Sequence, residues 1–436
     1  MSDPLKVYVV SLGCPKNLCD TEHVLADLKE ALHQLSFTQK REDADILLVN
    51  TCAFIEEAVS ESIDCILELC QEKKEGQLVV VFGCLPLRYG KELEGLMPEV
   101  DHFIFHVEPH QVASKLLGYL GINNSPVPPS DSSRIITGYP WQVYVKIADG
   151  CSNRCTYCLI PKIRGKTRCR SPKTIVDEIN GAVSRGAVEI TLVAQDLTSY
   201  SYEDTDLPGL VETILEETDV PWLRLMYLYP GGLDERLLEL MAKSDRICNY
   251  LDIPIQHASD KILKRMGRQV SRSQIEDSLR RVRRFLPDAS LRTTVMVGFP
   301  GENEEDFQTL IDFIKKWRFH HLGCFAYSDE KEAASHKLSG KVPKELASER
   351  KDIVLSIQRE ISRSINQEFV GKEVEVLVDG YCEESHLLLC SRTRFQAPSI
   401  DGTTYINKGL STGGSLEKVL ITEAHDYDLV GEIVKK

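Results

Sequence analysis

Residues Val143–Cys158 read VYVKIADGCSNRCTYC. The first seven residues, Val143–Asp149, have the apolar pattern of a β-strand. Directly after them stand Cys151, Cys155 and Cys158 in the spacing C-x3-C-x2-C. A cysteine loop at the C-terminal end of a strand is the position at which parallel β/α barrels place their chemistry. Three thiolates held this close can ligate three corners of a four-iron cube, which normally takes four cysteines. One iron is then left open, as a catalytic metal site keeps an open position. A structural zinc site needs four ligands in two close pairs, and no second Cys or His pair follows at finger or ribbon spacing. A disulfide knot belongs to short secreted chains, not to one of 436 residues.

Downstream, strand patterns recur at Val188–Ala194, Leu223–Tyr229, Tyr250–Ile255, Leu291–Gly298 and Leu322–Tyr327. Helical patterns lie between them, among them Ile175–Arg185, Asp234–Lys243 and Glu304–Trp317. About six β/α units suit a partial parallel barrel better than a complete one of eight. A long helical pattern covers Val342–Phe369. From Gly371 onward, short alternating strands with Gly-rich turns indicate a small antiparallel β-barrel.

Upstream, the first ~120 residues alternate continuous apolar strands (Lys6–Leu12, Asp45–Asn50, Gln77–Gly83, with His102–Phe105 as a candidate fourth) with helices over Thr21–Leu35 and Ile55–Leu69. This predicts a doubly wound parallel sheet covered on both faces. Cys14, Cys52 and Cys84 each follow one of the first three strands. Parallel strands end along one sheet edge, so these cysteines should converge there and form a second three-thiolate set. Cys19, Cys65 and Cys70 lack this placement and read as core or surface thiols. The Pro-, Gly- and Ser-rich stretch Gly118–Gln142 marks a boundary. The expected division is therefore 1–120 α/β domain, 121–142 linker, 143–341 partial barrel, 342–369 connecting helix and 370–436 terminal β-barrel.

No apolar run approaches the ~20 residues of a membrane span. The N-terminus enters a strand pattern without a charged-then-apolar leader, which makes the cytoplasm the expected location. There cysteines stay reduced, and fourteen of them point to metal rather than to disulfides. A formal net charge of −14 disfavours broad nucleic-acid binding.

The cysteine spacing, with Tyr157 before the last cysteine, resembles the radical S-adenosylmethionine (SAM) superfamily. The leading domain with Cys14, Cys52 and Cys84, together with the terminal β-barrel, resembles the methylthiotransferases and their C-terminal TRAM module. The runs SLGCPKNLCDTE, NTCAFIEEA, IADGCSNRCTYCLIPKIRGK, YLDIPIQHAS and VGFPGENEEDF resemble the branch that methylthiolates an aspartate of small-subunit ribosomal protein S-twelve. The sister branch acts on tRNA and usually has GCQMN at Gly13–Asn17. Local departures are Cys19 where Val is usual, Cys169 where Ser is expected, and YSY at Tyr200–Tyr202. None of them removes a cluster cysteine.

The resemblance implies two 4Fe-4S clusters. SAM would chelate the open iron held by Cys151, Cys155 and Cys158, and reductive cleavage would give a 5′-deoxyadenosyl radical for the aspartate β-methylene. The second cluster, on Cys14, Cys52 and Cys84, would carry the sulfur that a further SAM methylates. Tyr157, Gln195, Asp196, Gln256, Gly298 and Pro300 fall where members contact SAM or substrate. The glycines of VGFPGE would permit close backbone approach to a ligand. Asp252 and His257 flank the fourth strand's end, His257 as a hydrogen-bonding residue rather than an iron ligand. One or two of Lys162, Arg164, Lys166, Arg168 and Arg170 are expected to serve the site, whereas Arg280, Arg281, Arg283 and Arg284 read as a solvent-facing helix surface. A small reducing protein such as flavodoxin or ferredoxin would supply the electron.

Two alternatives remain open at this point: a tRNA methylthiotransferase and a non-catalytic iron–sulfur electron carrier. Against the first, Gln367–Lys436 holds twelve Asp and Glu but seven Lys and Arg. An RNA-binding barrel should show a basic stripe, while an acidic one suits a basic ribosomal protein. Against the second, a carrier needs neither a barrel nor open irons.

Overall fold

The structure is a computed structural model and describes residues 4–32, 34–122, 134–383 and 385–434. Residues 123–133 of the expected linker lie outside the described residues. The chain forms two compact units. One comprises residues 1–137, 144–153 and 158–181; the other comprises 138–143, 154–157 and 182–436.

The first unit is built on a parallel sheet of β1 (Leu5–Ser11), β2 (Leu35–Phe37), β3 (Ile46–Thr51), β4 (Leu78–Gly83) and β5 (His102–Phe103), in the order β2-β1-β3-β4-β5. Its central strand β3 is buried at all six positions, as expected of a parallel strand covered on both faces. Val9 faces Leu48, and Leu48 faces Val80, so β1, β3 and β4 run side by side in register. Helices α1 (Pro15–Ala31), α2 (Glu56–Glu72), α3 (Cys84–Tyr89) and a helix over Pro109–Tyr119 connect or cover them. Val24, Leu25 and Leu28 of α1 pack with Ile46, Leu48, Val80, Val112 and Leu116 in one core.

Two boundaries differ from expectation. Helix α1 starts at Pro15, directly after Cys14, because Pro at the first helical position loses no hydrogen bond and has its φ already set. It stops at Ala31, and Leu35, expected at the helix end, pairs in parallel with Leu5 as a short strand. A short apolar run fits either state, and pairing to the sheet edge decides this one.

The second unit carries a parallel sheet whose strands follow the chain without crossing: β6 (Gln142–Lys146, of which Gln142 and Val143 count with this unit), β7 (Glu189–Val193), β8 (Trp222–Leu225), β9 (Ile247–Asp252), β10 (Ser290–Val297) and β11 (His321–Ala326). Sequential order with helices between strands is the β/α arrangement the sequence predicts. A helix over Lys344–Gln367 follows, with Ala347, Val354, Ile361 and Ile365 buried.

The terminal β-barrel closes in the order β12 (Glu373–Cys382), β13 (Ser385–Thr393), β14 (Thr404–Lys408), β16 (Leu429–Ile433), β15 (Leu416–Ala424). Val376, Val378, Leu389, Ile406, Val419, Ile421 and Leu429 fill it. One finding departs from the expectation of reduced cysteines. Cys382 and Cys390 form a disulfide across the β12–β13 hairpin, where their Cα atoms lie 5.2 Å apart, within bridging range.

Candidate functional site

In the first unit, β1, β3 and β4 are neighbours and all point the same way, so the segments after them share one edge. Cys14 caps α1, Cys52 follows β3, and Cys84 opens α3. Gly13 shows why the first turn takes no side chain. Its φ is +87°, and a Cβ there would stand 2.6 Å from Cys52 Cβ and 2.9 Å from Cys52 Sγ. Asn17 occupies the centre of the group. Its amide donates to the carbonyls of Leu12 (3.1 Å) and Thr51 (2.9 Å). These bonds aim its Oδ1 at the thiols of Cys14 (3.9 Å) and Cys84 (3.8 Å).

The three thiols sense one another. Burial pushes the Cys52 thiol up to about 11, and Cys84 and Cys14 add to that shift. Burial also raises Cys84, with Arg164 opposing it. Thiolates gathered this closely repel one another and are costly unless cations compensate them. Ligation to iron supplies such compensation, since a coordinating thiol is deprotonated outright. Among the described residues no three His, Cys, Asp or Glu side chains stand close enough to share a single metal ion. Three thiols gathered at one sheet edge are the donor type that an iron–sulfur cluster takes.

Beside Cys84 lies a buried charge network within the same unit. Arg164 is 4 % exposed. Its Nη1 donates to Asp20 (2.6 Å) and Asp149 (3.0 Å), and its Nη2 to Asn17 Oδ1 (2.7 Å) and Cys84 Sγ (3.5 Å). Lys146 Nζ bonds Asp149 (3.0 Å) and also Asp20. Burial alone would raise the Asp149 carboxyl, but Lys146 and Arg164 outweigh it and hold it well below the usual carboxylate range. The same segment shapes the second cysteine set. Cys151 N–H donates to Gly165 O (3.0 Å). Gly150 has φ +75°, and a Cβ there would meet Lys166 O at 2.3 Å.

A second network in this unit involves Arg134, whose Nε donates to Glu22 (2.6 Å) and Nη1 to Glu178 (2.9 Å). The end of the expected linker is thus anchored in the unit. Cys19 lies fully buried beside Arg134, and burial pushes its thiol to about 12, so it reads as an inert core thiol.

In the second unit, Cys155 and Tyr157 belong to a segment held by Thr156, whose N–H donates to Met266 O (2.8 Å) and whose hydroxyl donates to Arg265 O (2.9 Å). Tyr157 meets Phe299 edge-on, and Phe299 meets Tyr327 the same way. The Arg268 guanidinium lies 4.3 Å from the Tyr229 ring centroid, bonds Pro254 O (2.6 Å), and is within hydrogen-bonding reach of Cys155.

Other expected site residues lie at strand ends, several with internal partners. Asp196 accepts from the Thr198 hydroxyl at 2.6 Å. Gln195 follows β7 by two residues. Gln256 has φ +69° and bridges to Val295. Asp252 is fully buried, accepting from Tyr227 N (3.1 Å) and Arg292 Nη1 (3.0 Å); burial raises its carboxyl and Arg292 opposes the rise. His257 is also fully buried, with Nδ1 accepting from Ser259 N (2.9 Å), and Nε2 lies 3.5 Å from Glu302. That geometry is one of a hydrogen-bonding residue.

Gly298 has a different explanation from the expected one. Its φ is +74°, and a Cβ would stand 2.3 Å from Cβ of Ala347, so the vacancy is filled by the long helix. Pro300 O accepts from Arg265 Nε (2.8 Å). In the basic run, Arg164 and Arg170 turn inward to carboxylates, while Arg168 is exposed and pairs with Glu108. Of the cationic helix, Arg280 and Arg284 are exposed and pair with acids as expected, whereas Arg281 and Arg283 are half-buried, Arg283 donating to the carbonyls of Pro287 (3.1 Å) and Ala289 (2.6 Å) that follow the helix. Sequence reasoning missed Asn17, Asp20, Lys146, Asp149 and Arg268. The available signal was charge inside an apolar strand, at Lys146 and Asp149 of VYVKIAD.

A β/α sheet with a three-cysteine loop after its first strand, preceded by a three-cysteine α/β sheet and followed by a closed five-stranded barrel, defines a radical SAM enzyme with a TRAM module. Residues 145–314 match the radical SAM superfamily, residues 6–105 the uncharacterized protein family UPF0004, and residues 370–434 the TRAM domain. Among solved structures, the radical SAM methyltransferase TsrM from Kitasatospora setae, with cobalamin and a [4Fe-4S] cluster bound, shares the fold. Its TM-score is 0.56 at 15% identity, covering 74% of this chain and 72% of that one.

Relatives resolve the class further. Ribosomal protein uS12 methylthiotransferase RimO of Geobacter sulfurreducens is 42% identical, with 98% of each chain covered. The RimO proteins of Myxococcus xanthus (42%, 99% and 92% covered) and Aquifex aeolicus (41%, 98% and 97% covered) match similarly. The chain belongs to the RimO family of methylthiotransferases.

Proposed function

We propose that this chain inserts a methylthio group at the β-carbon of an aspartate in ribosomal protein uS12, with Cys151, Cys155 and Cys158 ligating one 4Fe-4S cluster and Cys14, Cys52 and Cys84 a second. The observation that carries this reading is the convergence of Cys14, Cys52 and Cys84 around Asn17 at one sheet edge. Three cysteines there leave one iron of a cube for sulfur, as three in the C-x3-C-x2-C loop leave one for SAM. When bound, SAM and the cluster supply a radical able to take hydrogen from an unactivated C–H, chemistry that side-chain acids and bases cannot perform.

The chain's own residues bind and orient. Gly13 and Gly150 let backbone pass close to the cysteine loops. Tyr157, Phe299 and Tyr327 form an aromatic wall beside the cysteine loop. Arg268 places a donor next to Cys155. Gln195, Asp196, Gln256 and Pro300 lie at strand ends at which SAM or substrate would bind. Residues 1–120 would form the sulfur-carrying domain, 143–341 the SAM-binding barrel and 370–436 the substrate-recognising module. A flavodoxin or ferredoxin would reduce the enzyme in the cytoplasm, and no helix among the described residues is long and apolar enough to cross a membrane. The relatives named above all carry the uS12 activity in their names, which favours it over tRNA modification and over electron transfer alone.

Mass spectrometry of ribosomal proteins and tRNA from a strain lacking this chain tests the substrate. The expected result is uS12 without its methylthio group, restored by the wild-type chain and not by Cys84→Ala. Loss confined to tRNA would reject the reading.

A further inference from the structure

Asp20, Asp149, Lys146 and Arg164 form a buried group of two negative and two positive charges. The group is formally neutral, so it needs no external counter-charge. Yet it does not close on itself. Nη1 of Arg164 is taken by both aspartates, while Nη2 is left to face Asn17 Oδ1 at 2.7 Å and Cys84 Sγ at 3.5 Å. An arginine held for charge balance alone would have no reason to present half its fork to a thiol and an amide.

We propose that Arg164 is a positioning residue for the Cys14–Cys52–Cys84 site, where its guanidinium, clamped by Asp20 and Asp149, donates to the Cys84 sulfur and to Asn17 and raises the reduction potential of the cluster held there. This inference rests on the cluster assignment made above.

A hydrogen bond to a ligating sulfur stabilises the more negative, reduced state of a cluster over the oxidised one. Burial strengthens the effect, because little water screens the donor. Asn17 makes it specific. With thiols, its Oδ1 can accept from Cys14 and Cys84. Once these sulfurs are thiolates, they have no proton to give, and Arg164 Nη2 remains as the donor to Oδ1. Arginine suits the task because one rigid planar fork reaches two carboxylates on one side and two acceptors on the other. Lysine, a point charge, cannot do both.

The test uses the full chain in a Cys151→Ala, Cys155→Ala, Cys158→Ala background, reconstituted anaerobically with iron and sulfide. Only the Cys14–Cys52–Cys84 site then remains. Iron content, thermal unfolding and a redox titration followed by electron paramagnetic resonance are measured for Arg164, Arg164→Lys and Arg164→Gln. The expected result is that the Gln variant binds iron and shifts the reduction equilibrium about tenfold toward the oxidised form, about 59 mV lower for one electron. The Lys variant should shift it about threefold in the same direction. If iron binds and neither potential moves, the inference is overturned while the cluster assignment stands. If the parent background binds no iron, the assignment itself fails. If the Gln variant does not fold, the Lys variant decides alone, and an unchanged potential in it overturns the proposal.

Discussion

Two buried ion networks, one in each compact unit, contain the same charges and serve different ends. In the first unit Asp20 and Asp149 oppose Lys146 and Arg164. In the second, Glu189 and Asp379 oppose Arg224 and Arg392. Arg392 spends its donors on Glu189 (2.6 Å) and Asp379 (2.9 and 3.1 Å); Arg224 bonds Glu189 (2.5 Å) and the Arg394 carbonyl (2.9 Å). These partners join strands β7 and β8 to the terminal barrel. Its hydrogen bonds end on carboxylates and backbone, with Arg224 Nη2 making none among the described residues and that guanidinium lying 4.8 Å from the Tyr250 ring centroid, and so it acts as a fastener. The first network ends on an amide and a thiol. What distinguishes a structural charge cluster from one serving a site is therefore where its remaining donors point, rather than its net charge or burial.

The largest effects should come from the cysteines themselves. Cys84→Ala is expected to abolish methylthiolation while leaving SAM cleavage, and Cys151→Ala to abolish both. Each should lower iron from about eight to about four per chain, given one cube per three cysteines. Iron analysis and a 5′-deoxyadenosine assay read the two outcomes, and equal loss of SAM cleavage in both variants would break the division of labour.

Next in size is the fastener. Arg392→Met leaves the buried Glu189 carboxylate with Arg224 alone and the partly exposed Asp379 carboxylate without its guanidinium partner, a change that costs up to about 3–5 kcal/mol. Denaturant unfolding of the second unit should show that loss. The potential of the Cys14–Cys52–Cys84 cluster should stay where it was, whereas Arg164→Gln should move it. A cluster potential that followed Arg392 as closely as Arg164 would remove the contrast between the networks.

Much of this fold was legible because its signals are local. Continuous apolar runs such as Asp45–Asn50 mark buried parallel strands, and cysteines placed just after three of them must meet if the strands are parallel. Helix α1 was displaced at both ends, since its apolar periodicity begins several residues after the proline that starts it. What escaped was long-range. Asp20 lies 144 residues from Arg164 in sequence and bonds it. Nothing in the run of five cations distinguishes Arg164, which turns inward, from Arg168, which pairs at the surface. The disulfide escaped because residue type cannot tell a reduced cytoplasmic thiol from a cross-strand partner; only the folding of β13 back along β12 brings Cys382 and Cys390 within reach.

Gly298 sharpens the comparison at a smaller scale, as a residue whose motif suggests a ligand and whose surroundings show packing. Gly298→Ala would drive a Cβ toward Ala347 at a left-handed φ, and a cost of about 1–3 kcal/mol follows from overpacking. Ala347→Gly in the same chain should recover part of it, as measured by urea unfolding. No recovery in the double variant would shift the explanation toward the motif's ligand role.

The smallest expected effect concerns acid. The folded-state carboxyls of Asp149 and Glu189 are both lowered: burial opposes ionisation in each, and Lys146 with Arg164, or Arg224 with Arg392, overcomes it. A carboxyl with a lowered folded value contributes stability above its unfolded value, about 4. That contribution is lost as pH falls toward the folded value. Asp252 has the opposite sign, because burial raises it and Arg292 only partly offsets the rise. Its charged form therefore carries a penalty that acid relieves. Unfolding free energy measured from pH 6 downward should consequently fall less steeply below about pH 4 in Asp149→Asn than in the parent, because one proton-linked contribution is gone. In Asp252→Asn the fall should be at least as steep as in the parent. If Asp149→Asn instead steepened the decline, the clamp on Arg164 would not be ionised in the folded protein, and Arg164 would have to be held by something other than its two aspartates.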